Sequence, residues 1–491
     1  MLSLLAGPSA ARADTASPIQ PNAAQSSPTP DAVRGDPESE GDPERLKEQI
    51  RISIETNVPP VTESATNAVA PEEKSFKWDF SWRGWDGLHM EVSERTRLKN
   101  PWEMMGLAPR GSNGVTIIRL DRVKMSGTIG GRLEGDGAVF ATSGNLTGFD
   151  DGAQLRRARL FIGGDCILLT PFSYRVEFGY IPNQFNLEKA YVVFPDIPYI
   201  GNLKLGQFQP PMGLDRITSS RDITFMEPAA PLQALAPRVE AGIQIGHPVF
   251  HDRATWALGV FAPGAGASEY GNASQDYGNA IGRLTWLAID HIDPDHPSTN
   301  QFLHLGLSIN LQYSSSSTVE YKSRPESYIA PDVINTGQID ANAATTFGLE
   351  AAWVNGPFSL QGEFLDSVVE EDSGGTLNFY GFYALASWFL TGESRPYDRQ
   401  TGAFKRLIPQ RDFNFGKGGG WGALQVACRY SYTDLTDGNV SGGRLNLLMG
   451  ELNWYLQPHI RWMFDSGVGH VNGGPSDGNM FIFQTRVGID F

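Results

Sequence analysis

Long stretches of this chain alternate residue by residue between apolar and polar side chains, which is the period of a β-strand with two different faces. The chain ends FIFQTRVGIDF (481–491), with Phe481 and Phe483 on one face and Gln484 and Arg486 on the other. Such a strand packs on the core of a soluble β-sandwich, or it turns its apolar face to lipid in a transmembrane barrel. Because the last residue is aromatic, we expect this strand to be held in a sheet rather than frayed.

The composition of the polar faces favours the barrel. In FLHLGLSINLQYS (302–314), Leu305 and Leu307 share one face, whereas Ser308 and Asn310 share the other. The polar face of a soluble sheet usually carries more Lys and Glu. Only 19% of the residues are charged, and small polar residues suit a water-filled lumen.

The number and length of these segments indicate the size of the barrel. We count about sixteen to eighteen of them, typically about nine to eleven residues long, which is the length that a tilted membrane-spanning strand needs. No run of about 18 apolar residues is present, so a membrane-spanning structure would have to be a β-barrel. The expected fold is therefore all-β: a transmembrane antiparallel β-barrel of 16 strands, or of 18.

Charge and cysteine content set further limits. The formal net charge of -16 argues against nucleic acid as a partner. The two cysteines, Cys166 and Cys428, lie far apart in strand-like segments. They could pair in an oxidising compartment, but two separate buried thiols are the favoured interpretation.

The N-terminal region differs in composition from the rest. Residues 1–13 end in Ala-Arg-Ala, which resembles the cleavage site of a secretory signal peptide, so we expect them to be a signal peptide remnant. Residues 14–75 are rich in Pro, Ser, Ala, Asp and Glu and should form a disordered periplasmic segment. The aromatic-rich and strand-rich residues 76–491 are expected to be the barrel domain.

The connections between the segments differ in length. WVNGPFS (353–359) and YLQPHIR (455–461) are typical of tight turns, whereas 315–342 and 391–420 are long and polar. This pattern predicts short turns on one rim of the barrel and long loops on the other.

One connection is unusually apolar. Residues 209–237 contain five prolines together with Ile217, Phe225 and Leu232. A long loop that contains such residues is expected to be packed inside the protein rather than exposed at its surface. In a barrel this loop would fold into the lumen and narrow it.

The same loop carries a candidate anion-binding site. Guanidinium groups next to hydroxyl groups supply convergent donors for an anion that loses part of its water. The alternative is a polar turn in which Asp215 and Asp222 neutralise the arginines. The candidate residues are Arg216, Thr218, Ser219, Ser220 and Arg221.

A second cationic group lies upstream in LRRARL (155–160). Alternation places Arg157 and Arg159 on the face that would line the lumen, so Arg156 must break the pattern, at a bulge or at the rim. The alternative is a solvated strand end near Asp150 and Asp151.

These segments resemble the phosphate-selective porin O and P family over about residues 115–491. The resemblance is carried by LRRARLFIGGD, FSYRVEFGY, EKAYVVF, LKLGQFQPPMGLDRITSSRDITFMEP and GELNWYLQPHIRWMFDSG. It implies a sixteen-stranded outer-membrane barrel, usually a trimer, with an inward-folded third loop. Its constriction is formed by paired arginines from an early strand, opposite a cation and two serines of that loop.

By motif, the resemblance assigns the paired arginines to Arg156 and Arg157, the serines to Ser219 and Ser220, and the loop cation to Arg216. Three positions depart from the family pattern. Arg159 stands where a tyrosine is often found, Lys189 where an acidic residue is often found, and Glu227 where a further loop cation is expected. These departures leave an anion preference plausible and weaken the expectation of phosphate selectivity.

Other candidate sites are weaker. DHIDPDH (290–296) has residue types that bind metals but no regular spacing, so a polar turn is the favoured interpretation. GKGGGWG (416–422) lacks the Ser or Thr and the strand–loop–helix context of a phosphate-binding loop.

The sequence therefore predicts a porin of a Gram-negative outer membrane that admits small hydrophilic solutes, including anions such as phosphate, by passive diffusion. No catalysis and no cofactor are expected; the expected partners are membrane lipid, the solutes and two further copies of the chain. A barrel enzyme and a plugged anchoring barrel remain alternatives. The expected constriction residues are Arg156, Arg157, Arg159, Arg216, Ser219, Ser220 and Arg221.

Overall fold

The computed structural model describes residues 125–167, 170–181, 184–262, 277–293, 297–314, 318–414 and 420–491, together with the backbone of three short strands nearer the N terminus. The predicted signal peptide remnant and the predicted periplasmic segment lie outside these residues. Among the helices that the structure describes, none is long and apolar enough to cross a membrane.

Within the described residues, sixteen long strands form one closed antiparallel barrel, which confirms the predicted fold class. Each strand pairs with its neighbours in the chain, and the last strand pairs with the first through Phe483 and Val139. The first eight strands are β1 (Met125–Thr142), β2 (Gly152–Ile167), β3 (Pro171–Ile181), β4 (Gln184–Ile197), β5 (Gly201–Phe208), β6 (Glu240–Val249), β7 (Ala254–Ala262) and β8 (Tyr277–His291). The other eight are β9 (Gln301–Ser314), β10 (Ile339–Asn355), β11 (Phe358–Glu371), β12 (Thr376–Phe389), β13 (Ala423–Asp437), β14 (Val440–Gln457), β15 (Ile460–Asn472) and β16 (Gly478–Asp490).

Shorter elements accompany the barrel. Two helices, α1 (Leu214–Ile217) and α2 (Ala230–Leu235), lie in the connection between β5 and β6, and a 3-10 turn spans Pro297–Thr299. The short strands are Phe76–Asp79, His89–Val92, Val115–Leu120, Thr318–Val319, Lys322–Ser323, Ile334–Asn335, Tyr397–Asp398 and Ala403–Phe404. Phe76–Asp79 pairs with His89–Val92, and Val115–Leu120 pairs with the start of β1.

The two faces of the strands are the ones that the alternation predicts. On β9, Leu305 and Leu307 are exposed on the outside, whereas His304 and Ser308 are buried inside. On β16, Phe483 is exposed. The outer face of the barrel is therefore apolar and suits lipid, whereas its inner face carries polar groups.

The strands are longer than the sequence indicates. Twelve of them run for 13 to 18 residues, whereas about nine to eleven suffice to cross a bilayer with a tilt. The strands are therefore longer than the crossing of a bilayer requires.

The expectation that long loops lie on one rim and short turns on the other is wrong for one segment. Residues 390–422 join β12 to β13, on the same rim as the tight turns at 356–357 and 458–459. Residues 315–338, which join β9 to β10, lie on the opposite rim. Which rim a loop occupies depends on the number of strands that precede it, and loop length does not reveal this number.

Three connections have described residues that are buried inside the barrel. They are the inner loop (residues 209–239), the second loop (residues 315–338) and the opposite-rim loop (residues 390–422). The prediction that the inner loop folds inward is confirmed, since Phe225 and Leu232 are buried in one apolar cluster with wall residues. The other two loops were expected to be polar, yet Tyr321 and Phe404 are also buried inside the barrel.

The cysteines occupy different environments. Cys166 is buried and Cys428 is exposed on the outer face, and both are free thiols. The favoured prediction, two separate thiols, is confirmed, although only one of the two is buried.

Candidate functional site: a cationic cluster in the lumen

The paired arginines of β2 both point into the lumen because of a β-bulge. Glu134 of β1 pairs with Arg157, the next residue Gly135 pairs with Leu155, and Arg156 is the extra residue between them. A bulge inserts one residue and re-aims a side chain that would otherwise face outward. Both arginines are consequently buried, which confirms that Arg156 breaks the alternation.

The carboxylate of Glu227 lies between these arginines and a third one. Arg156 donates from Nε and Nη2 to the two oxygens of Glu227, at 2.8 and 3.1 Å. Arg486 of β16 donates from Nη2 to the same carboxylate at 2.6 Å, and Nη2 of Arg157 lies 3.6 Å from it. Burial alone would raise the pKa of Glu227, but these three guanidinium groups outweigh it and hold the pKa well below its ordinary value.

Acidic residues of β1 connect the rest of this group. Glu134 accepts a hydrogen bond from Arg157 Nη1 at 2.6 Å and lies 3.2 Å from Arg132. Asp136 accepts two hydrogen bonds from Arg486, at 2.6 and 2.7 Å. The arginines and carboxylates of β1, β2, β16 and the inner loop therefore form one connected network.

Arg159 lies apart from this pair. Its guanidinium group is 2.9 Å from Glu188 and 3.4 Å from Glu177. These carboxylates come from β4 and β3, so the structure places Arg159 on a neighbouring part of the wall, with two anionic partners of its own.

The inner-loop candidates divide into two groups. Arg216 donates from Nε to the carbonyl oxygen of Pro237 at 3.3 Å, near the end of the loop. Ser219 accepts a hydrogen bond from Nε of Arg221 at 3.5 Å, and Ser220 accepts one from Nη1 of Arg132 at 2.9 Å. Ser220 and Arg221 therefore lie close to the arginines of the wall, whereas Arg216 and Arg159 have other partners.

A cavity of about 50 Å³ lies beside Ser220, between the inner loop and β14, β15 and β16. Arginines outnumber carboxylates in its lining, so its surface carries an excess of positive charge. Burial raises the pKa of Asp222 in this cavity, although Arg221 and Arg406 act in the opposite direction. The charged lining residues are Arg132, Arg221, Arg406, Arg461, Arg486, Glu134, Asp222 and Asp490.

Arg461 accounts for part of that excess. It donates to the carbonyl oxygens of Arg221, Ile223 and Thr224, at 3.0, 2.8 and 2.6 Å. Its Nε and Nη2 also donate to Asn453 Oδ1, at 2.9 and 2.6 Å. These acceptors are neutral, so they satisfy the guanidinium group without cancelling its charge.

The predicted constriction residues did not include five arginines of the cluster: Arg132, Arg406, Arg429, Arg461 and Arg486. Arg406 lies in the opposite-rim loop, and the other four lie on the inward-facing sides of their strands, where alternation already places Arg429 and Arg486. Arg429, for example, is 1% exposed and donates to Glu326 of the second loop from Nε at 2.9 Å. What alternation could not show is which strands face each other across the lumen.

Of the candidate metal ligands in DHIDPDH, Asp290, His291 and Asp293 lie within the described residues, whereas Asp295 and His296 lie outside them. Within the described residues, no group of three potential ligands is close enough to hold a metal ion. Asp290 instead accepts two hydrogen bonds from Arg399, both at 2.6 Å. Most of GKGGGWG lies outside the described residues.

Comparison with known proteins places this lumen in a family. The family model for phosphate-selective porin O and P matches residues 128–473. Porin O of Pseudomonas aeruginosa is 26% identical over 425 residues, which cover 76% of this chain and 90% of that protein. An uncharacterised protein of Caulobacter vibrioides is 29% identical over 379 residues, covering 74% of this chain and 73% of the relative.

Among solved structures, the anion-selective porin from Comamonas acidovorans aligns with a TM-score of 0.46 and 13% identity, over 75% of this chain and all of that one. The family match extends from the first barrel strand into β15, so it includes the bulge, the inner loop, Arg156 and Arg157. The chain therefore belongs to the phosphate-selective porin O and P family and is a porin of the Gram-negative outer membrane.

Proposed function

We propose that this porin passes small hydrophilic solutes by passive diffusion and prefers anions to cations, with no catalytic step and no cofactor. The observation that carries the proposal is the charge of the cavity beside the inner loop, which five arginines and three carboxylates line. Rings of Arg and Lys favour anions in pores because they lower the electrostatic energy of a passing negative charge. Phosphate is one of the anions that this charge would admit.

The predicted constriction residues contribute unequally in this proposal. Ser220 and Arg221 line the cavity directly. Arg156 and Arg157 act through Glu227, which partly cancels their charge. Arg159 and Arg216 have other partners, and Ser219 supports Arg221.

Three further proposals rest on the sequence and on family membership. They are a signal peptide remnant at residues 1–13, a disordered periplasmic segment at residues 14–75, and assembly as a homotrimer. The first would place the chain on an export route that ends in the outer membrane.

Reversal potentials test the anion preference. In planar bilayers with a potassium chloride gradient, the wild-type protein should give a reversal potential of the sign expected for chloride. Arg461→Gln should move this potential towards zero, because it removes a charge that its neutral partners do not cancel. Arg444→Gln is the control, since Arg444 is 43% exposed and lies 2.8 Å from Asp434. A wild type that prefers cations would contradict the proposal. An Arg461→Gln variant with the same reversal potential as the wild type would also contradict it.

A plugged anchoring barrel is the second candidate. It is favoured by one observation: the inner loop and the opposite-rim loop meet inside the lumen, where Phe404 N donates to Thr218 Oγ1 at 3.4 Å. The same bilayer experiment separates the two functions, because folded protein that gives no channels would support the anchoring role.

A further inference from the structure

The inner loop carries its own anion into the cationic cluster. Glu227 is only 6% exposed, and its carboxylate meets guanidinium groups from two strands of the wall. The contacts are 2.8 Å to Arg156, 2.6 Å to Arg486 and 3.6 Å to Arg157. Three cations around one carboxylate form the arrangement that binds a small oxyanion.

Most of the donors that an incoming anion would need are already occupied. Arg156 uses Nε and Nη2 on Glu227. Arg486 uses Nε and Nη2 on Asp136, shares Nη2 with Glu227, and donates from Nη1 to the carbonyl oxygen of Met226. Arg157 uses Nη1 on Glu134, whereas its buried Nε has no hydrogen-bond partner among the described residues. An oxyanion could therefore take the donors of Arg156 and the shared Nη2 of Arg486 only by displacing Glu227.

We propose that Glu227 is a specificity-determining residue: a resident carboxylate that occupies the anion site of Arg156, Arg157 and Arg486 and prevents tight oxyanion binding there. This inference rests on the proposed anion-conducting function and deepens it. Since Glu227 is attached to the loop, its carboxylate has a high effective concentration at the site, and a free anion at millimolar concentration competes poorly with it.

The consequence is a pore that attracts anions without holding them. The excess charge of the cavity draws anions in, whereas the site with the best hydrogen-bond geometry stays closed to them. Phosphate should then cross much as chloride does, and it should not block the chloride current at low concentration.

Glu227→Gln tests this directly. The amide keeps the size of the side chain and removes its charge, so the donors that Arg156 and Arg486 direct at Glu227 lose their anionic partner and become available to phosphate. We expect the phosphate concentration that halves the chloride current in planar bilayers to fall at least ~10-fold, because the repulsion between Glu227 and the incoming anion is lost. The reversal potential should also move further towards that of chloride.

Two control variants isolate the effect. Glu350→Gln removes another buried lumen carboxylate, which pairs with Arg283 at 2.7 Å in a different part of the barrel, and it should leave phosphate block unchanged. Glu227→Asp keeps the charge and should behave more like the wild type than like Glu227→Gln. Folding of each variant is verified by the heat-dependent gel mobility of the intact barrel.

The outcomes separate this inference from the proposed function. A wild type that prefers cations or gives no channels contradicts the proposed function. An anion-preferring wild type whose chloride current is half-blocked by micromolar phosphate overturns the inference alone, and this measurement serves even if Glu227→Gln fails to fold. Equal phosphate block in Glu227→Gln and wild type also overturns it.

Discussion

The attachment of the inner loop to the wall depends strongly on one carboxylate, Glu363 of β11. Its Oε2 accepts a hydrogen bond from the backbone N–H of Leu214, and its Oε1 accepts one from the N–H of Asp215, both at 2.7 Å. The hydroxyl of Tyr383 donates to Oε1 at 2.6 Å. These two N–H groups belong to the first residues of α1, where no partner within the helix exists.

Removing this carboxylate should release the start of α1. Glu363→Ala leaves two buried backbone N–H groups without an acceptor, and each such group costs about 1–3 kcal/mol. The free energy that holds the inner loop against the wall should therefore fall by about 2–6 kcal/mol. The lower value applies if water reaches these two N–H groups and hydrates them. Glu363→Gln should have a smaller effect, since its amide oxygen can still accept one of these bonds. Tyr383→Phe leaves both N–H bonds in place and is the control.

Single-channel recording measures the consequence. A loosened inner loop should raise the mean conductance and the current noise, in the order Tyr383→Phe, Glu363→Gln, Glu363→Ala. The temperature at which the folded barrel loses its compact gel mobility should fall in the same order. If Glu363→Ala folds and conducts with the amplitude and noise of the wild type, Glu363 does not hold the inner loop.

Two other perturbations follow from the structure. Lowering the pH from neutral should increase anion preference as Asp222, whose pKa is raised by burial, becomes protonated. Because other ionisable residues also line the cavity, the variant Asp222→Asn is needed to isolate the contribution of Asp222. If the reversal potential of this variant depends on pH as it does in the wild type, the assignment to Asp222 is wrong. Leu307→Arg should lower the free energy of unfolding in lipid vesicles by ~2–4 kcal/mol, because the side chain faces lipid near mid-strand. Gln312→Arg should not, because alternation places the half-buried Gln312 on the lumen face of the same strand. If a denaturant titration showed that both variants lose the same free energy of unfolding, the two faces of this strand would be assigned wrongly.

The sequence contained most of the information about the barrel wall. Alternation assigned Leu307 to the outside and Ser308 to the inside, and the structure confirms both. This was possible because the side-chain period of a strand is set by backbone geometry alone. The position of Arg156 followed from the same argument, since a residue that breaks the period requires a bulge.

The partners of the cationic residues could not be predicted in this way. Glu227 and Arg486 are 259 positions apart in the chain, yet they are joined by a hydrogen bond of 2.6 Å. Phe404 and Thr218 come from opposite rims and meet in the lumen. Such contacts depend on how the barrel closes and how deeply each loop enters it, which local patterns do not encode.

The sequence by itself thus determined the fold, the family and the residues that face the lumen, because these depend on a period of two and on short motifs. Only the tertiary structure decided which charges cancel. Arg156 lies beside Glu227, whereas Arg461 donates to carbonyl and amide oxygens. The effect of a charge on a passing ion depends on distances of a few ångströms between groups that are remote in the chain, and folding alone sets those distances.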